Sequence, residues 1–138
     1  MRKILFVLLL IVPVFAYCDV YKFVSSHMQY GESINNGERL KMSPWTEYKH
    51  YITLDLTDDY LTIKGKEDCI TLKILEMETG QGKKYEDGIY RECFSFTVMD
   101  KGYNKSLIDV FISDKSDIAY MVLYYPEGIL IYYMIKTL

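Results

Sequence analysis

The chain has 138 residues, half of them hydrophobic, with 16 basic and 19 acidic side chains and a formal net charge of −3. That length suits a single domain, and the balance excludes both a disordered composition and the basic stripe of a nucleic-acid-binding protein. Tyrosine stands out at 14 copies, against six Phe and one Trp.

At the N-terminus Arg2 and Lys3 precede an apolar run from Ile4 to Val12, followed by Pro13 and Val14-Phe15-Ala16. Charged start, apolar middle and small residues at the cut read as a signal peptide over residues 1–16. The apolar stretch is shorter than the roughly 20 residues a bilayer-spanning helix needs. Cleavage after Ala16 leaves one domain of residues 17–138 with no integral membrane span, exported to a periplasm or the medium. It removes two cations and no acid, taking the net charge from −3 to −5. A lipid anchor on Cys18 is the lesser alternative, because bulky Tyr17 stands where a lipoprotein signal has a small residue.

Along residues 17–138 the dominant pattern is alternation of apolar and polar residues in short runs rich in β-branched and aromatic side chains, the signature of half-buried strands. Val20–Val24 is the first. The polar stretch from Gly31 to Ser43, with Asn35-Asn36-Gly37, reads as a long loop. Ile52, Leu54 and Leu56 alternate next, then Thr57-Asp58-Asp59 turns into Tyr60–Lys64 and Gly65–Asp68 into Cys69–Glu76. Thr79–Lys84 reads as a flexible loop. Ile89–Met99, Ser106–Ile112, Ile118–Tyr125 and Ile129–Thr137 complete about eight strands, and their sequential order predicts an all-β antiparallel meander closed into a small barrel or folded as a sandwich.

The last two strands are apolar or aromatic on both faces, so each face needs a cover: the core on one side and, on the other, either another part of the chain or a partner. Export permits disulfides, and Cys69 and Cys93, on successive strand-like runs, form the candidate pair, with three buried thiols as the competing reading.

Chemical motifs are sparse. His27 and His50 have no metal-ligand spacing, Asp58-Asp59 suits a turn, and neither a phosphate loop nor a nucleophile elbow occurs. The expectation is a protein that is not an enzyme and has no metal or cofactor. The candidate binding residues are aromatic: Trp45, Tyr48 and Tyr51 at the start of the meander, and Tyr120, Tyr124, Tyr132 and Tyr133 in the terminal hairpin. Tyrosine offers contact area with a polar tip.

The run from Trp45 to Tyr51, the alternation at 52–56, Leu61-Thr62-Ile63 and the following meander resemble, in pattern, the small secreted lipocalin-like (calycin) barrels of bacterial envelopes. The resemblance implies a barrel that binds a small apolar ligand and carries over no site residues. The expected function is a binding protein for such a ligand or for a protein partner, a second copy included; an inhibitor or immunity-type protein acting through an acidic or Tyr-rich surface is the alternative.

Overall fold

Alternation in the sequence becomes alternation between inside and outside. In the computed structural model, which describes residues 20–34, 39–126 and 128–138, the chain forms ten strands among those residues and no helix. They are β1 (Val20–Ile34), β2 (Arg39–Met42), β3 (Thr46–Glu47), β4 (Tyr51–Asp55), β5 (Tyr60–Lys64), β6 (Cys69–Lys84), β7 (Tyr90–Met99), β8 (Lys105–Ile112), β9 (Ile118–Tyr124) and β10 (Ile129–Thr137). The leader at 1–16 and Cys18 lie outside the described residues.

Neighbouring strands run in the order β10-β9-β8-β7-β6-β5-β4-β1, and β1 pairs again with β10, so eight antiparallel strands close a barrel. Between barrel and sandwich the answer is a barrel, in which each of these eight strands has a neighbour on both sides. Inward positions carry the core: Phe23, Ile52, Leu54, Leu61, Ile63, Leu72, Phe94, Phe96, Val98, Ile108, Met121 and Ile135 are all buried and packed together. Each such side chain contributes roughly 1.5–3 kcal/mol on burial.

In both segments expected to be loops, Gly31–Ser43 and Thr79–Lys84, strand appears instead over 31–34, 39–42 and 79–84, while residues 35–38 lie outside the described residues. Gly31–Ile34 extends β1 and pairs with β2 (Gly31↔Met42 to Ile34↔Arg39). Thr79–Lys84 extends β6 along β7 as far as Lys84↔Tyr90. The ladder needs only backbone groups, which polar residues and glycine supply as well as apolar ones do. One edge of β1 is met in turn by β4, β3 and β2, which together form one return path broken at two places. Pro44, which has no N–H to give the ladder, marks the first break. At the second, the Ser25 hydroxyl donates to the Tyr48 carbonyl (2.6 Å) and accepts from the His50 N–H (2.7 Å), opposite a bulge at Ser26.

The expected disulfide is absent: Cys69 and Cys93 are both free thiols. Register explains it. Cys69 opens β6 opposite Lys64, whereas Cys93 on β7 pairs with Gly80, eleven residues further along β6. No strand slip short of rebuilding the sheet brings two such positions within the roughly 7 Å limit between Cα atoms.

Candidate functional site

The outer face of β8–β10 is the second apolar surface that the terminal hairpin announced. Phe111 on β8, Tyr120 and Val122 on β9, and Leu130 and Tyr132 on β10 pack there with Cys93 of β7. Two pieces of chain reach over this face from either side. From the β1 side, the break at Pro44 releases Trp45, whose ring meets Tyr132 edge-on at 5.9 Å and Tyr120 at 6.4 Å. From the other side the β6–β7 turn carries Tyr85, which stacks on Tyr120 at 4.2 Å with planes 4° apart. Its hydroxyl and that of Tyr132 are hydrogen-bonded at 2.7 Å.

Local chemistry fixes that turn. Gly88 adopts φ +81°, a left-handed conformation open to glycine, and the Asp87 Oδ1 accepts from the Ile89 N–H at 3.0 Å. The same carboxylate then accepts both Arg91 Nη groups, at 3.1 and 2.9 Å, in a bidentate clamp. Arg91 is fully buried; its Nε donates to the Ile118 carbonyl (3.1 Å), and its guanidinium lies 5.0 Å from the Tyr85 ring centre and 5.1 Å from that of Tyr120. One arginine therefore ties the turn to β9 through charge, hydrogen bond and ring contact.

Between these walls lies an open groove of about 720 Å³ lined by Trp45, Tyr85, Tyr120, Tyr124, Leu130 and Tyr132 among others, with Lys83 and Lys84 at its rim. That volume suits a small ligand. Three groove phenols are pushed above the ordinary tyrosine range, chiefly by burial. It pushes the Tyr85 hydroxyl far above the ordinary tyrosine range, with the bond to Tyr132 adding to the effect, and it raises Tyr120 against the pull of Arg91. Burial, then the nearby Asp109 carboxylate, raises Tyr124 as well. Tyr85, Tyr120 and Tyr124 thus present neutral hydroxyls to the groove, as ordinary phenols also do at neutral pH. The Arg91 guanidinium holds Asp87 below the usual carboxylate range, so that partner stays charged.

Of the residues expected from sequence, Trp45, Tyr120, Tyr124 and Tyr132 come together here. Tyr48 and Tyr133 belong elsewhere: Tyr133 points into the barrel, its hydroxyl 3.2 Å from His50 Nδ1, and Tyr48 meets the same imidazole edge-on at 4.4 Å. Asp68 lies 3.6 Å from the other ring nitrogen. Tyr51 is exposed on the outer face, with the Lys49 ammonium 5.5 Å over its ring. Sequence reading missed Tyr85, Asp87, Arg91 and Lys83, which sit in or beside the segment taken for a loop; the Asp-Gly pair at 87–88 was a turn signal that could have placed them at a hairpin tip.

Among the described residues no group of three or more His, Cys, Asp or Glu side chains could hold a metal ion, and no helix is long and apolar enough to cross a membrane. No family model, curated protein or solved structure matches the chain.

Proposed function

We propose that this chain is an exported binding protein whose ligand, a small apolar or aromatic molecule, lies in the groove on the barrel's outer face rather than within its lumen. The observation that carries this reading is the roofless cluster of Trp45, Tyr85, Tyr120 and Tyr132 on a barrel whose interior is already packed with side chains. Partly exposed rings braced by a buried arginine supply contact area with little side-chain entropy left to lose, as preorganised sites do. Export rests on the leader; intact-mass measurement of the protein collected outside the cytoplasm should give a chain starting at Tyr17.

Trp45 is the single tryptophan, so its fluorescence reports on the groove directly. Titration with the neutral probe N-phenyl-1-naphthylamine should quench Trp45 by energy transfer and saturate at one site. Tyr132→Ala should weaken that binding about tenfold or more while the far-ultraviolet circular dichroism stays that of the parent. Binding that leaves Trp45 unquenched, or no binding at all, would overturn the assignment.

A further inference from the structure

The groove is not purely apolar. The Lys83 ammonium lies 4.7 Å from the Tyr85 ring centre, 5.9 Å from that of Tyr132 and 6.0 Å from that of Phe111. The irregularity between Gly80 and Lys83 in the β6–β7 ladder re-aims this side chain, as bulges do. Among the described residues the ion pairs are His50–Asp68, Arg91–Asp87 and Lys136–Asp117, so Lys83 faces the groove without a carboxylate partner. Asp87, the nearest candidate by position, is committed to Arg91 through both oxygens. Once that pair is set aside, the charged residues lining the groove are Lys83, Lys84 and Glu86, a net excess of one positive charge on a chain whose overall charge is negative.

We propose that the groove takes an amphipathic monoanion, its ring or hydrocarbon body lying against Trp45, Tyr120 and Tyr132 and its anionic end meeting the Lys83 ammonium. This rests on the binding function proposed above and adds the ligand's charge. Rings and ammonium play complementary parts: the three π-faces hold the cation in place without neutralising it, and its N–H donors remain available to an acceptor. A cationic ligand would have to displace a cation tethered to the site, and a neutral one would leave that ammonium unpaired under an apolar lid.

The test uses two probes of one skeleton, N-phenyl-1-naphthylamine and its 8-sulfonate, 8-anilinonaphthalene-1-sulfonate. Each is titrated into the full chain in low salt and read by energy transfer from Trp45. The sulfonate should bind about tenfold more tightly than the neutral parent, which is the scale of one partly screened charge pair, and the preference should shrink as salt is raised. In Lys83→Met, which keeps the stem of an exposed side chain, the sulfonate should fall to the affinity of the neutral probe while the neutral probe is unaffected. Equal affinities in the parent protein, or a preference that survives Lys83→Met, would overturn the monoanion while leaving the groove as a binding site. Tighter binding of phenyltrimethylammonium than of the sulfonate would overturn it in favour of a cation cage. Failure of both naphthalene probes would overturn the binding function itself.

Discussion

Arg91 is a fully buried guanidinium, tolerable only because its donors are matched by the Ile118 carbonyl and the Asp87 carboxylate. Arg91→Leu leaves the Ile118 carbonyl without its Nε donor and unhooks the Tyr85 turn. We expect a loss of about 2 kcal/mol, smaller than for a wholly buried pair because Asp87 can rehydrate, measurable as a lower urea midpoint. Arg91→Lys should recover little of it, because an ammonium cannot reproduce the two-pronged contact. The same pair sets an acid limit. Asp87 is held below its ordinary range, so its contribution is complete above that range and is lost as pH falls through the lowered value. Trp45 fluorescence should therefore shift in a transition centred below about pH 3.9, and Asp87→Asn should abolish it. The two described thiols should also differ: a thiol-reactive aromatic disulfide should label exposed Cys69 in the native protein, whereas Cys93, buried and with its thiol pushed up by that burial and by Asp109, should react only on unfolding. Peptide mapping of the labelled chain reads this directly.

At the scale of elements, both long strands overhang the barrel, and each is shaped by a small residue at a point of close approach. A Cβ at Gly80 would stand 2.8 Å from both Cys93 Sγ and Ser95 Oγ, and one at Gly82 would collide with the Arg91 carbonyl. The first clash involves side chains and the second involves backbone, which cannot step aside. Gly82→Ala should thus cost more than Gly80→Ala, and the latter about 1–3 kcal/mol, the usual range for overpacking; thermal melts of the two variants would rank them. Where β1 bulges, the Ser25 hydroxyl replaces ladder partners for Tyr48 and His50. Removing it in Ser25→Ala orphans a buried N–H, and about 1–3 kcal/mol should be lost. Neither overhang was legible in the sequence. Gly31–Ile34 and Thr79–Lys84 lack apolar alternation, and the backbone pairing that makes them strand is open to any residue with a free N–H and C=O. The eight barrel strands were legible, since there one face of each meets the core: Ile52 and Leu54, Phe94 and Phe96, and Ile108 and Val110 alternate as their burial demands.

At the scale of the whole molecule, the doubly apolar terminal hairpin announced that something must cover its outer face, but not what. The cover comes from Trp45 and Tyr85, 75 and 35 residues away from Tyr120 in the chain, and such juxtapositions follow from the circular strand order rather than from any local spacing. The same circularity has a consequence for how the barrel forms. Seven of its eight seams join strands linked by turns or by the β2–β3 return path. The eighth, β1 with β10, pairs Phe23 with Thr137 across almost the entire described chain. Loop-closure entropy is largest there, so the meander can assemble by short-range steps while the ring is sealed in one late search. Substitutions that weaken this seam should chiefly speed unfolding, and those within the β5–β7 meander should slow folding.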